Sequence, residues 1–296
     1  MILITLMAGQ GFAQVDPVFS QYMQDATAFN PAYSGSLDML SLNLQARTQW
    51  YGVAGAPLSG VFSAHAPLPG EKLGVGLRMM HEEFTVTQRL RLSPAVSYRI
   101  PLRKNLLQAG LAVNYNMLQQ SYNQLLIQHT EDDMFRLASN QNYWSVGAGL
   151  YYRTQKWYAG ISLPEIYTLR QTDAESGTAA ARVSQGVAYG GFVYTLSPDV
   201  LIKPNVLVNW INSGAGYADL NCNVLIRQIF EVGVSGRTNG TLGTLARLQV
   251  NSRISFGYAT SHNLNHNLGY VGNAHELSIQ FKFITDKSAM PSPRFF

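Results

Sequence analysis

The residues that could carry out catalysis are few and scattered along this chain. The stretch "HEEF" (His81–Phe84) has the His-Glu pair of a zinc protease motif, but it lacks the second histidine and lies in a predicted strand. A Ser-His lipase of the outer-membrane type would need both side chains on a lipid-facing wall, whereas Ser63 and His65 share a predicted inward face. The sequence contains no Gly-x-Ser-x-Gly elbow. We therefore predict no catalytic residues and a non-enzymatic protein.

Metal, cofactor and thiol chemistry are equally weak in the sequence. His262, His266 and His275 flank one predicted loop and could in principle bind a metal, but histidine seldom ligates without closely spaced partners. We predict no metal site and no cofactor. The single cysteine, Cys222, lies on the apolar face of a predicted strand, where a small apolar filler fits better than a reactive thiol.

Among the residue types that could take part in binding or catalysis, arginine is the one that recurs at regular positions in the predicted strands. By strand parity, ten arginines fall on polar faces, together with Glu82, Asp219, Glu231 and Glu276. An arginine on the lipid face at mid-membrane costs about 2–4 kcal/mol, so a membrane barrel would turn these residues inward. The alternative is the solvated face of a soluble sheet. The predicted basic lumen residues are Arg47, Arg78, Arg89, Arg91, Arg99, Arg153, Arg227, Arg237, Arg247 and Arg253.

Period-two alternation is the dominant pattern and indicates the strands that would position these side chains. In Leu107–Met117, six apolar residues alternate with Gln, Gly, Ala and Asn. Pro94 and Pro204 interrupt two runs and predict bulges or strand ends. About fourteen runs follow this pattern, approximately at 39–50, 58–66, 73–83, 88–100, 105–117, 143–154, 156–163, 186–196, 200–212, 216–227, 230–237, 242–250, 253–262 and 275–284.

The links between these runs are sorted by length. The even-numbered links are short, for example "PLRK" and "SPD", while the long links at 118–142, 164–185 and 263–274 are all odd-numbered. Short turns at one end and long loops at the other are typical of outer-membrane barrels. We predict an all-β, antiparallel up-and-down transmembrane β-barrel of about fourteen strands.

Composition narrows the class of protein. Only 13% of the 296 residues are charged, and no run of about 18 apolar residues exists, so a helical membrane span is excluded. The net charge of +4 comes without a basic block, so no nucleic-acid partner is predicted. Outer-membrane lipid is the first predicted partner.

The two ends of the chain suggest processing and placement. The N-terminus resembles a secretory signal with an apolar region at Ile2–Met7, although the charged start is missing. The predicted divisions are a signal peptide at 1–13, a periplasmic, plug-like segment at 14–38, a barrel at 39–284 and a periplasmic tail at 285–296. We predict a bacterial outer-membrane location with both termini in the periplasm.

Several motifs together resemble one family. They are Asp16, Pro17, "FSQYM" (Phe19–Met23) and "NPAYSG" (Asn30–Gly35), then "ARTQW" (Ala46–Trp50), "GAPLSGVFSAHAPL" (Gly55–Leu68) and "GYVGNAHELSIQFKF" (Gly269–Phe283). Their order and spacing resemble the PorP/SprF family, outer-membrane proteins of the type IX secretion system of Bacteroidetes. The resemblance implies a barrel that binds the C-terminal sorting domain of secreted surface proteins, such as gliding adhesins, and helps to export or anchor them. It also implies periplasmic type IX secretion components as partners.

Two other functional classes stay open at this point. One is a channel or small-molecule transporter with a basic lumen, and the other is a soluble periplasmic β protein. The N-terminal segment bears on this choice, because its apolar residues need cover. We predict that it packs into or across the periplasmic mouth, with a flexible leader as the alternative. The predicted plug residues are Phe19, Tyr22, Met23, Phe29, Asn30, Pro31 and Tyr33.

Overall fold

One antiparallel sheet accounts for most of the structure. The computed structural model describes residues 19–53, 55–70, 72–121, 139–171, 178–181, 185–211, 216–264 and 273–283. Strand β1 pairs with β16, the last strand, so the two ends of the sheet join. On the other side β9 connects β7 to β11. The sheet is therefore a closed barrel, and the predicted fold class is confirmed.

Successive strands are neighbours throughout the barrel, which makes it an up-and-down barrel. β8, β9 and β10 are consecutive pieces of one strand position, because β8 and β9 both pair with β7 while β9 and β10 both pair with β11. The described residues thus form fourteen strand positions, as predicted. The strands are β1 (Leu40–Gln49), β2 (Leu58–Pro67), β3 (Leu73–Phe84), β4 (Thr87–Leu102), β5 (Asn105–Gln120), β6 (Ser139–Arg153), β7 (Trp157–Gln171), β8 (Thr178–Ala181), β9 (Gln185–Phe192), β10 (Tyr194–Ser197), β11 (Val200–Ile211), β12 (Tyr217–Ile226), β13 (Phe230–Arg237), β14 (Thr241–Gln249), β15 (Ile254–Asn263) and β16 (Ala274–Phe283).

The alternation along each strand separates a lipid-type exterior from a polar interior. In β5, Leu111 and Val113 are exposed on the outside, whereas Gln108, Asn114 and Asn116 are buried on the inside. Among the described residues, β9 bridges β7 and β11 and β1 bridges β2 and β16, so the sheet closes on itself, while the short strands β8 and β10 each pair on one side. Within the described ranges, no helix is long and apolar enough to cross a membrane.

The connections differ between the two ends of the barrel. We call the end with the tight connections, such as 103–104, 198–199 and 227–229, the turn side, and the opposite end the loop side. The strands extend farther than predicted at the loop side: β5 reaches Gln120, β6 starts at Ser139 and β7 reaches Gln171. The loops predicted at 118–142 and 164–185 are shorter by these residues. Residues 122–138, 172–177, 182–184 and 265–272 of the predicted loops lie outside the described residues, as do the predicted signal peptide and tail.

Prolines affect the sheet at places other than those predicted. Around Pro94 the β4–β5 ladder is interrupted, but its register does not shift, so the predicted bulge is wrong there. Pro204 pairs with Cys222, and its other neighbour in the sheet changes from β9 to β10 at this level. The register does shift beside Pro164, between Ser162 and Glu165 of β7. Because proline cannot donate a ladder hydrogen bond, each site costs a bond, but only one needs an extra residue.

Candidate functional site in the barrel lumen

The chain before β1 folds into a compact piece inside the barrel, residues 19–39, which we call the lumen segment. It contains two single-turn 3-10 helices, η1 (Ala26–Ala28) and η2 (Pro31–Tyr33). Asp25 caps η1, because its Oδ1 accepts the Thr27 N–H at 2.9 Å. Asn30 caps η2 in the same way through the Ala32 N–H at 2.9 Å. These side-chain caps give the short helices their starting points.

Aromatic and apolar side chains of the lumen segment form a core with the barrel wall. The Phe29 ring meets the Tyr189 ring edge to face, with centroids 4.9 Å apart. Tyr33 meets Tyr151 similarly at 5.3 Å. This level of the lumen is therefore occupied by packed side chains. All seven residues singled out in the sequence are buried here: Phe19, Tyr22, Met23, Phe29, Asn30, Pro31 and Tyr33.

Asn30 provides the main polar attachment of this core. Its Nδ2 donates to the Leu150 carbonyl oxygen at 3.0 Å and to the Tyr189 hydroxyl at 3.1 Å. Its Oδ1 faces Gly149, where a β-carbon would overlap it. Since both ends of the amide are used and the residue is fully buried, Asn30 fixes the lumen segment against two strands.

The backbone of the lumen segment also touches the wall directly. A β-carbon on Gly110 would overlap the backbone of Pro31 and Ala32, so this wall position accommodates only glycine without a shift. The carbonyl oxygen of Ser34 accepts hydrogen bonds from Ser97 Oγ at 2.6 Å and Gln108 Nε2 at 3.2 Å. Polar wall residues thereby satisfy backbone groups that the irregular segment leaves open.

The lumen segment runs along the barrel. Near its start, the Ser20 backbone N–H donates to both carboxylate oxygens of Glu276, at 3.0 and 2.8 Å, close to the loop side of β16. Near its end, Asp38 forms ion pairs with Arg99 and Arg153 at the turn side. The segment therefore reaches farther into the barrel than a plug lying across one mouth would.

Ion pairs connect the inward arginines to carboxylates on other strands. Arg91 of β4 pairs with Glu165 of β7 at 2.7 Å, and both are buried. Arg78 is buried with its guanidinium 3.8 Å from the Met80 sulfur. Such pairs neutralise charge that the interior would otherwise hold at high cost. Further pairs among the described residues include Arg47–Glu276 (3.5 Å), Arg89–Glu82 (3.4 Å), Arg237–Asp219 (2.9 Å), Arg247–Glu231 (2.6 Å) and Lys203–Glu231 (3.1 Å).

Two of the predicted lumen arginines lie elsewhere. Arg227 is exposed in the β12–β13 turn and has a positive φ of 49°. Arg253 is exposed in the turn before β15. Placing them in the lumen was wrong, because strand parity applies only while the chain remains extended.

The side chains considered for catalysis or metal binding have other contacts. Ser63 Oγ donates to Asp25, and His65 Nδ1 accepts the Gly35 N–H at 3.2 Å. His275 bonds to the Tyr258 hydroxyl at 2.8 Å on the exposed surface. Among the described residues, no group of three metal-ligating side chains is close enough to hold an ion; His266 lies outside those residues.

Comparison with protein families identifies the class. The family described as "Type IX secretion system membrane protein PorP/SprF" matches residues 11–281, which include the lumen segment and all the strands of the barrel except its last residues. The chain belongs to the PorP/SprF family. As a PorP/SprF protein it is an outer-membrane barrel of type IX secretion, and the resemblance noted in the sequence is confirmed.

Solved structures similar to this PorP/SprF protein are distant. Omp33 of Acinetobacter baumannii shares 9% identity at a TM-score of 0.47, over 83% of this chain and 98% of that one. The CymD monoaromatic hydrocarbon channel shares 10% at 0.48, over 90% and 93%. The Pseudomonas putida toluene transporter TodX shares 8% at 0.47, over 89% and 93%. No curated protein sequence matches the chain.

The sequence missed three carboxylates that organise the lumen. Asp25 and Asp38 belong to the lumen segment, which has no strand period to assign their direction. Glu165 lies in β7 but beyond residue 163, where the alternating pattern predicts the end of this strand. One signal was available: with 17 acidic residues against 21 basic ones, most inward arginines need a carboxylate from the few present.

Proposed function

We propose that this protein is a non-enzymatic component of the type IX secretion and gliding machinery that binds the C-terminal sorting domain of secreted surface proteins. It would thereby help to export adhesins or to anchor them at the cell surface. Family membership supports a role in secretion. Outer-membrane lipid, the sorting domain and periplasmic components of the secretion system are the proposed partners.

The observation that carries the proposal is the occupied lumen. The lumen segment buries Tyr22, Phe29 and Tyr33 inside the barrel and is bonded to both halves of the wall. A conduction path would have to pass this packed core, so a docking function fits better than a porin function. We propose that the segment acts as a resident plug that keeps the barrel closed and rigid.

The loop side is the proposed surface for cargo. The connections within 118–142, 164–185 and 263–274 have the length to build a surface outside the membrane, whereas the turn side offers only tight connections. Short turns face the periplasm in bacterial outer-membrane barrels. With this orientation, β16 ends on the periplasmic side and the C-terminal tail extends there. We propose a periplasmic N-terminus as well.

A binding titration tests the proposal. The purified full chain in detergent is titrated with a purified sorting domain from a type IX-secreted surface protein, and we expect saturable binding. Replacing residues 123–137 with a Gly-Ser linker is expected to weaken binding roughly tenfold. The matched control is the double variant R103A/K104A in the turn at the opposite end, which is expected to bind normally. A native barrel that does not bind the domain would overturn the proposal.

A further inference from the structure

The outer wall of the barrel has an apolar groove across strands β4 to β7, which we call the outer-wall groove. Its volume is about 730 Å³, within the range of ligand pockets. Tyr98 on β4 and Leu163 on β7 belong to its two sides. Small residues of the two central strands form its floor: Ala109, Gly110, Ala148 and Gly149. Because the outward face of the barrel contacts lipid, the groove opens towards the hydrocarbon of the membrane.

The register of the strands explains the groove. Ala109 of β5 lies between Tyr98 and Leu150 in the pairing with β4 and β6. Ala148, in the next row, likewise lies between two leucines. Each alanine leaves a depression between larger side chains, and the two depressions are neighbours. None of the lining residues, all of which the structure describes, is charged. A hydrocarbon chain therefore fits the groove, whereas a polar ligand would lose its hydrogen bonds to water there.

An aromatic pair marks the membrane interface between the groove and the turn side. The rings of Tyr152 on β6 and Trp157 on β7 have centroids 5.1 Å apart. The Tyr152 hydroxyl accepts a hydrogen bond from Asn105 Nδ2 at 2.9 Å. Tyrosine and tryptophan concentrate at the boundary between hydrocarbon and lipid headgroups, because each has an apolar body and a polar end. The groove thus lies on the hydrocarbon side of this boundary.

The turns on the other side of the aromatic pair are basic. Arg103 and Lys104 make up the whole β4–β5 turn, and Lys156 lies in the β6–β7 turn. All three side chains are exposed. Within the part of the chain that the structure describes, none of the three forms an ion pair. Three cations are therefore available at the level of the headgroups, next to the strands that form the groove.

Acidic side chains do not cancel this charge. Neither of the two turns, both fully described, contains one. The lumen carboxylate at this end, Asp38, is already held by two buried arginines. In the neighbouring β2–β3 turn, Glu71 precedes Lys72 in the sequence, so that turn adds no net charge. The charge next to the groove therefore suits an anionic headgroup.

The spacing between the cations and the groove matches one lipid molecule. Ala109 follows Lys104 by five residues, which is about 17 Å along an extended strand. With a strand tilt of about 35–45°, the floor of the groove lies about 12–14 Å deeper in the membrane than the turn. The hydrocarbon of one leaflet is about 15 Å thick. An acyl chain whose headgroup lies at the turns therefore reaches the groove.

We propose that the outer-wall groove binds an acyl chain of an anionic phospholipid whose headgroup phosphate contacts Arg103, Lys104 and Lys156. In the orientation proposed above, this phospholipid belongs to the periplasmic leaflet. A second copy of the chain fits the groove less well, because a symmetric contact would bring two sets of the same basic turns together. The site lies on the outer wall and does not depend on sorting-domain binding.

The test titrates the full chain in detergent with phosphatidylglycerol and, separately, with phosphatidylcholine that carries the same acyl chains. Native mass spectrometry counts the bound lipid. We expect one phosphatidylglycerol to bind at least about tenfold more tightly than phosphatidylcholine, because three cations attract its headgroup. The variant R103Q/K104Q/K156Q should lose this preference. The variant A109F/A148F fills the groove and should weaken the binding of both lipids at least about tenfold.

Each variant has a matched control. R227Q/R253Q removes two exposed cations from turns at the same end of the barrel but on other strands. A46F/A246F adds the same aromatic rings at outward alanines of β1 and β14, outside the groove. Both controls should bind the two lipids as the native protein does. A heat-dependent shift in gel mobility checks that every variant is folded.

Three results would overturn the inference: equal affinity of the native protein for the two lipids, a preference for phosphatidylglycerol that persists in R103Q/K104Q/K156Q, or equal lipid binding by A109F/A148F and A46F/A246F. A lipid-free dimer that dissociates in A109F/A148F would also overturn it, because a second copy would then cover the groove. If A109F/A148F does not fold, the charge variant still decides, since it changes only exposed turn residues. Absence of sorting-domain binding by the native protein would contradict the proposed function and leave the lipid result unaffected.

Discussion

Asn30 and Gly149 are in direct contact across the lumen, with Oδ1 of Asn30 in the space that a β-carbon on Gly149 would need. The same side chain donates to Leu150 and Tyr189. A missing side chain in the wall and a buried amide in the lumen segment thus fit each other. This contact makes the lumen segment part of the folded barrel, and its energetic contribution can be measured.

Replacing Asn30 with alanine should destabilise the protein by about 2–4 kcal/mol. About 0.5–2 kcal/mol comes from the lost cap of η2, and the rest comes from buried groups of Leu150 and Tyr189 that lose a partner. Urea unfolding in detergent measures this change. The control is Asn140→Ala, at an exposed position of β6, the strand that contacts Asn30. It should change the stability by less than about 0.5 kcal/mol. Equal effects of the two substitutions would contradict the assigned role of Asn30.

Gly110→Ala should destabilise the protein although alanine usually suits a strand better than glycine. The added β-carbon would overlap the backbone of Pro31 and Ala32, which cannot rotate away, and overpacking typically costs about 1–3 kcal/mol. Gly60→Ala in β2 is the matched control, because no atom lies within 4 Å of the new carbon. The two variants are compared by the temperature at which each unfolds, measured as a heat-dependent shift in gel mobility. A Gly110→Ala protein as stable as Gly60→Ala would mean that the segment does not lie against β5.

Asp38→Asn should cost about 3–5 kcal/mol, because it leaves Arg99 and Arg153 buried without the carboxylate that joins them. Asparagine also tolerates the positive φ of 54° at this position, so the backbone should not add to the cost. Glu82→Gln is the control: its pair with Arg89 is more exposed and should contribute roughly 0–1 kcal/mol. Equal stability losses in chemical denaturation would argue against a bridge at Asp38.

Deleting residues 19–36 should lower the unfolding temperature and open the lumen to ions. The native protein should show no stable conductance in planar bilayers. The deletion variant should conduct and favour anions, because the inward arginines would then line a water-filled lumen. The strand signal in circular dichroism shows whether the deleted protein remains a barrel. Native protein that conducts as well as the deletion would refute the closed lumen.

Much of the barrel could be predicted from sequence because lipid and lumen impose opposite requirements on alternate residues. Leu111 and Gln108 illustrate this: their neighbours in the strand follow the same rule, so parity assigns each face without any tertiary information. The same rule fails at Arg227 and Arg253, where the chain leaves the strand. It also fails beyond Pro164, where the shifted register carries Glu165 to its partner Arg91.

The lumen segment was the harder part. Its apolar residues predict that Phe29 and Tyr33 are covered by other parts of the protein. An irregular segment has no repeating pattern, however, so the sequence does not predict which wall residues its side chains contact. The hydrogen bond between Ser20 and Glu276 joins residues that are 256 positions apart in the sequence. It can form because closure of the barrel places β16 beside β1, and this closure cannot be read from the pattern of either segment alone.

The contact between Ser20 and Glu276 has a consequence for biogenesis. The first described residues of the chain bind a carboxylate in its final strand, and β1 pairs with that same strand. A chain that stops before β16 can form neither the β1–β16 pairing that closes the barrel nor this contact. The lumen segment can therefore make its native contacts only after β16 has been synthesised and inserted. Correct filling of the lumen thus requires that all the strands of the barrel are present.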